Sequence, residues 1–447
     1  MPPTSPWYEP ALAVPDGPAS QDRGPIPHVI AWNLTRRCNL ECAHCYISAG
    51  AWQSTAGEMS TLECLHVADQ VLAVNPAPLL ILTGGEPLLR DDLETIAGHA
   101  TRRGATVVVG TNGTRLTAQR IASLKAAGVS GVAVSIDSLD PTYHDRFRHG
   151  DGALADTMAA VERCREGELD FIVQTSLTSG NRAEMADLVA WSAEAGAVSF
   201  NLYFLVRTGR GEGMAPLSPD ENEEVLAELV RLEREYRGRI MVRSKCQPQI
   251  MRHAHAASEG SPLLSYETRC PCGVQYCRIT PEGKVTPCPY IPEVAGDLRR
   301  DSFATIWRTS PLLLRMREGR LGGKCGDCEF RGVCGGCRAR ALADTGDVMG
   351  PDDSCAYEPK AGAAATVVPP GATFGSAAEP NLAWTDEALA RVARIPSFVR
   401  GVVTSRVEDF ARRKGSPTVT VELLDAIRQE MPVDFSRRLP FFARRKV

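Results

Sequence analysis

The stretch TRRCNLECAHCY, residues 35–46, places Cys38, Cys42 and Cys45 within eight positions at the spacing C-x3-C-x2-C. A structural zinc site uses four ligands, usually as two pairs, and here no fourth cysteine follows closely. A [4Fe–4S] cluster held by three cysteines leaves one iron without a protein ligand. An open coordination position is what a catalytic metal centre needs. The triplet therefore predicts a cluster-bearing loop with one iron reserved for a substrate or cosubstrate.

The surroundings of the triplet predict the fold. Short apolar runs at 28–34, 79–83, 105–111, 131–136, 171–177 and 198–205 read as strands. Helical patterns lie between them, near 61–75, 91–103, 117–127, 153–166 and 182–195. Strands alternating with helices imply parallel βα units, and strands that are apolar throughout fit a sheet covered on its faces. The expected fold is α/β, a partial (β/α)6 barrel over 28–239, with its chemistry at the strand C-terminal ends. Residues 1–27 read as a Pro/Ser/Gly-rich lead-in. Residues 240–358 read as a cysteine-rich region that needs metal to order it. Residues 359–381 have linker composition. A small three-helix domain follows at 382–432, with Thr385 as an N-cap and one buried stripe of Phe398, Val399, Val402, Val403, Val407 and Phe410. A basic tail, 433–447, ends the chain.

Net charge is −4, which gives no reason to expect a nucleic-acid partner. No secretory leader pattern opens the sequence and no run of 18 apolar residues crosses it, so no membrane span is expected. The expected location is the cytoplasm, where thiols stay reduced. Fifteen cysteines are then better read as metal ligands than as disulfides. Three fall at 38–45 and nine between 270 and 355. The isolated Cys64, Cys164 and Cys246 read as small buried hydrophobes.

CNLECAHC behind the first strand resembles the signature of the radical S-adenosylmethionine (SAM) superfamily. That resemblance implies a [4Fe–4S] cluster on Cys38, Cys42 and Cys45, with SAM chelated at the open iron and cleaved to a 5′-deoxyadenosyl radical. TGGEP (83–87) closes the second predicted strand. Its glycines permit close backbone approach, and Glu86 is suited to an ammonium. The resemblance implies SAM contacts at Gly84, Gly85, Glu86, Pro87, Asn112, Ser135 and Arg148, the last of these through the methionine carboxylate. His44 is expected to line the cofactor site.

The later cysteines admit two readings. The C-x2-C pairs fit zinc ribbons. The whole pattern also resembles the SPASM extension of radical SAM enzymes, which implies two auxiliary [4Fe–4S] clusters. By that analogy Cys270, Cys277, Cys288 and Cys337 hold the first, with Cys272 able to replace Cys270. Cys325, Cys328, Cys334 and Cys355 hold the second. The spacing between Cys334 and Cys337 is x2 where the family has x3.

FLVRTGRG (204–211), GKVTPCPY (283–290) and the run 323–347 resemble the anaerobic heme-synthase and heme d1 branch. That branch implies oxidative modification of an iron-tetrapyrrole propionate, with an external low-potential electron donor. Hydrogen abstraction, loss of CO2 and removal of one electron need no general base, and an auxiliary cluster is a natural electron acceptor. Arg207 and Arg210 are nominated as propionate partners, while His253 and His255 read as solvated. A peptide maturase that modifies a ribosomal precursor is the alternative. WTDEALARVARIPSFVR, FARRKG and TVTVELLDAI resemble the C-terminal domain of the light-independent protochlorophyllide reductase B subunit.

Overall fold

The computed structural model describes residues 25–257, 261, 263–266, 269–367, 380–393 and 395–430. The lead-in up to residue 24, residues 368–379 of the linker and the basic tail lie outside the described residues.

Six parallel strands form where the apolar runs predict them: β1 Val29–Thr35, β2 Leu79–Gly84, β3 Thr106–Thr111, β4 Gly131–Ser135, β5 Asp170–Leu177 and β6 Ser199–Phe204. They pair in chain order. Helices α1 Thr61–Val74, α2 Leu93–Arg102, α3 Ala118–Ala126, α4 Pro141–Arg148, α5 Ala153–Glu166 and α6 Met185–Glu194 connect them. Local chemistry starts these helices. Ser60 and Glu63 form a capping box on α1. Asp140 caps α4, with Pro141 in its first turn.

The sheet continues past residue 239. Helix α7, Pro219–Glu235, returns the chain to β7, Met241–Lys245, which pairs parallel to β6. The cysteine-rich region then supplies β8, Tyr276–Ile279, which pairs parallel to β1 on the opposite edge. The hairpin strands β9 Lys284–Thr286 and β10 Gly296–Asp297 extend from it. The cysteine-rich region is thus part of the same sheet as the barrel.

Side-chain alternation divides the sheet into two faces. Ile30, Trp32, Leu80 and Leu82 face the helices and form the core with them. Val29, Ala31, Leu79 and Ile81 face the lumen.

In the C-terminal domain the helices are Asp386–Ala393, Ser397–Arg413 and Val421–Glu430. Thr385 Oγ1 accepts from the Ala388 N–H at 3.2 Å, as an N-cap does. The stripe on the middle helix is split between two cores. Val407 and Phe410 pack inside the small domain, whereas Phe398 and Val399 pack on Val29, Leu79 and Val108 of the barrel. Sequence periodicity identifies a buried face but not what buries it.

Candidate functional site

The cysteine loop leaves β1 and folds over the C-terminal ends of the strands. Glu58 secures its start, accepting from Thr35 Oγ1 and the Arg36 N–H, each at 2.8 Å. Each thiol of the triplet has a donor. The Leu40 N–H reaches Cys38 Sγ at 3.4 Å, the Ala49 N–H reaches Cys45 Sγ at 3.3 Å, and Arg148 reaches Cys42 Sγ at 3.8 Å. Asn112 Nδ2 adds a second contact to Cys38 Sγ, at 3.8 Å. Burial still pushes the free Cys38 thiol up to about 12, so a thiolate here needs the positive charge of a metal beside it. All three cysteines line one large cavity that fills the lumen.

Gly84 and Gly85 line that cavity too, and steric room explains them. A Cβ on Gly84 would lie 2.4 Å from the Thr35 carbonyl oxygen, and one on Gly85 would lie 2.1 Å from that of Arg37. Gly84 also has φ +142°, which L side chains rarely adopt. The two glycines let the end of β2 pass directly under the cysteine loop.

Glu86 departs from expectation. It is fully buried and does not line the cavity. Its carboxylate accepts from the Leu88 N–H, Thr111 Oγ1 and the Asn112 N–H at 2.8–3.0 Å. It ties β2 to β3 and orients Asn112, leaving no accessible oxygen for an ammonium. Pro87 is likewise buried, in a short 3-10 turn away from the cavity. Asn112 and Ser135 do face the cavity.

Arg148 is buried at the end of α4. Its Nε and one terminal nitrogen bond Asp137 Oδ2 at 2.8 and 2.7 Å, and its other terminal nitrogen faces Cys42. Asp137, within SIDS, was not singled out by the sequence reading, yet it is the buried partner that holds Arg148 in place. Arg148 and the Ser176 N–H hold its carboxylate below the usual range against the effect of burial. His44 lines the cavity and stacks on Phe147 at 4.6 Å; burial pushes it down to about 4, so it is neutral.

The two nominated arginines separate. Arg207 forms an ion pair with Asp344 at the surface. Arg210 braces the cysteine loop through the carbonyls of Cys42, at 2.9 Å, and Ala49, at 2.7 Å. His253 is bonded to Glu223 at 2.8 Å rather than solvated.

The later cysteines form two groups. Cys325, Cys328, Cys334 and Cys355 line one small pocket together, as the family pattern implies. The first group differs from expectation. Cys270, Cys272, Cys288 and Cys337 line the large cavity, with Cys246 beside them, and Cys277 does not. Cys272 lies beside both Cys270 and Cys288. Cys277 sits one residue along β8 from the lumen-facing Tyr276, so alternation turns it into the helix-side core. Cys272, and not Cys277, thus shares the cavity with Cys270, Cys288 and Cys337.

Among the described residues no three His, Cys, Asp or Glu side chains converge on a single-ion site. A multi-iron cluster holds its cysteine sulfurs further apart than one ion does. Thiols spaced around cavities, with N–H groups aimed at Cys38, Cys45, Cys288, Cys325 and Cys328, fit such clusters.

Comparison with known proteins gives three matches along the chain. Residues 32–191 match the radical SAM superfamily, 270–329 an iron–sulfur cluster-binding domain (SPASM), and 384–428 the proto-chlorophyllide reductase 57 kD subunit. The AdoMet-dependent heme synthase of Methanosarcina barkeri is 38% identical over 74% of this chain and 97% of its own. The pre-heme d1 synthase of Dinoroseobacter shibae is 30% identical, over 74% and 87%. The mycofactocin maturase MftC of Mycobacterium ulcerans is also 30% identical, over 74% and 88%. The crystal structure of Streptococcus suis SuiB bound to S-adenosylmethionine shares the fold, with a TM-score of 0.61 at 13% identity over 74% of this chain and 78% of that one.

Proposed function

The chain belongs to the radical SAM superfamily, in its SPASM-bearing branch, and we propose that it oxidatively decarboxylates or dehydrogenates a propionate side chain of an iron tetrapyrrole. It is an iron–sulfur oxidoreductase with a SAM-binding [4Fe–4S] cluster and auxiliary clusters. The observation that carries the substrate is the 38% identity to a heme synthase across 97% of that enzyme's length.

When bound, the cluster and SAM supply a 5′-deoxyadenosyl radical. Cys38, Cys42 and Cys45 would hold that cluster, leaving one iron open. Asn112 and Arg148 order the thiols on the cavity side, and Arg210 fixes the loop that carries them. Ser135 and Asn112 are offered as polar contacts for SAM. Arg148 offers the methionine carboxylate one terminal nitrogen, since Asp137 occupies the rest of its fork. Cys270, Cys272, Cys288 and Cys337 are proposed for the first auxiliary cluster, and Cys325, Cys328, Cys334 and Cys355 for the second. His44, neutral and stacked, serves as an apolar wall rather than a base. No helix among the described residues is long and apolar enough to cross a membrane.

The test is anaerobic turnover of reconstituted protein with SAM, a reductant and iron coproporphyrin, followed by mass spectrometry. Deoxyadenosine formed together with loss of CO2 and hydrogen from the porphyrin supports the reading. Deoxyadenosine with an unchanged porphyrin sinks the substrate assignment and turns the search to other tetrapyrroles, then to peptides.

A further inference from the structure

The lumen runs the whole length of the barrel. Its upper end meets Cys38, Asn112 and Ser135, and its lower end is walled by Val29, Leu79 and Val108 near the starts of their strands. A lumen of this kind needs closing at the bottom, and the chain's own C-terminal domain closes it. Phe398 lines the same cavity as the cysteines and packs with Val399 on the lower strand ends.

The seat is specific. The Ser397 N–H donates to the Ala77 carbonyl at 3.0 Å. Ser397 Oγ accepts from Asn75 Nδ2 and bonds His28 Nδ1, each at 2.8 Å. Ser397, Asn75 and His28 are all buried. Asn75 is itself held by the Pro27 carbonyl, to which its Nδ2 donates at 2.9 Å, and by the Ala77 N–H, which donates to its Oδ1 at 3.1 Å. Buried polar groups paired in this way fix a single register, which an adhesive apolar contact does not.

We propose that the C-terminal domain is a built-in stopper whose Phe398 is the floor of the substrate cavity, setting its depth and excluding solvent from the radical. A primary carbon radical generated in a lumen open at both ends would meet water and small solutes as well as substrate, and closed sites suppress such side reactions. The proposal needs only SAM cleavage in this cavity, whichever substrate it takes.

The experiment uses the full-length, reconstituted protein carrying Phe398→Ala, and Ser397→Ala as a milder second variant. Hydrogen–deuterium exchange is read over residues 28–31, 77–81 and 106–109. Deoxyadenosine is measured without substrate and, where a product forms, per product. Phe398→Ala with wild-type iron content is expected to exchange faster in those segments. It should also form about three times more deoxyadenosine unproductively. Unchanged exchange and unchanged unproductive turnover at wild-type iron content overturn the proposal. If Phe398→Ala loses its iron, Ser397→Ala decides on the same two readings: a rise in both supports the stopper and no change in either removes it. Failure of the tetrapyrrole reading leaves the exchange and SAM-only measurements intact, so the two failures are distinguishable.

Discussion

The three-thiol loop at 38–45 and the four-thiol pocket at 325–355 use the same side chain for opposite ends. In the loop, the cysteines stand on one side of a large cavity, and Asn112, Ser135, Arg148 and Arg210 line it with them. In the pocket, Cys325, Cys328, Cys334 and Cys355 line a small volume together with Phe330 and Tyr357. If the two sets hold clusters as proposed, three thiols would leave one iron without a protein ligand and four would leave none, so ligand count would separate a reactive centre from an electron relay.

The largest effect expected from this contrast is at Cys42. Cys42→Ala should abolish deoxyadenosine formation, whereas Cys328→Ala should still cleave SAM while losing about four irons per chain. Equal loss of SAM cleavage in both variants would erase the distinction. Next is the first auxiliary group. Cys272→Ser should lose about four irons while Cys277→Ser keeps wild-type iron, and the reverse result would restore Cys277 as a ligand. A smaller effect concerns the loop's support. Asp137→Asn leaves Arg148 buried beside Cys42 without its carboxylate and should cost about 3–5 kcal/mol in denaturant unfolding. A loss below about 1 kcal/mol would mean that the pair is not what anchors the loop.

The smallest effect is acid sensitivity. Burial lowers His144 from 6.5 to about 4, and its Nδ1 accepts from the Asp137 N–H at 3.2 Å. Its contribution is complete above the unfolded value of 6.5 and is lost as pH falls towards 4, because only the unfolded chain binds the proton in that window. On its account alone, unfolding free energy should fall by about 3 kcal/mol from pH 6.5 to 4. His44 is lowered to about 4 as well, so His144→Gln should reduce the overall slope by about half, and an unaltered slope would assign the acid loss to other groups.

The sequence was most legible where a signal is local. Strand runs, the cysteine triplet and the Gly84–Gly85 turn each depend on neighbours within a few residues, and each falls where the sequence places it. The partners of Glu86 were not legible, because a conspicuous carboxylate next to two glycines reads as a ligand contact. Its three donors come from residues up to 26 positions away. Asp137 was missed because a single aspartate in SIDS carries no signal until Arg148 folds back beside it.

What the sequence alone determined is the α/β frame, the three-cysteine cluster loop and the existence of further thiol groups, since periodicity and spacing are properties of the chain. Only the tertiary structure decided which thiols meet. β8 joins the edge of β1, and strand alternation sends Cys277 to one face and Tyr276 to the other. It also decided what the stripe on helix Ser397–Arg413 buries, because a helix face is apolar towards whatever packs against it, here the floor of the barrel for Phe398 and the small domain for Phe410.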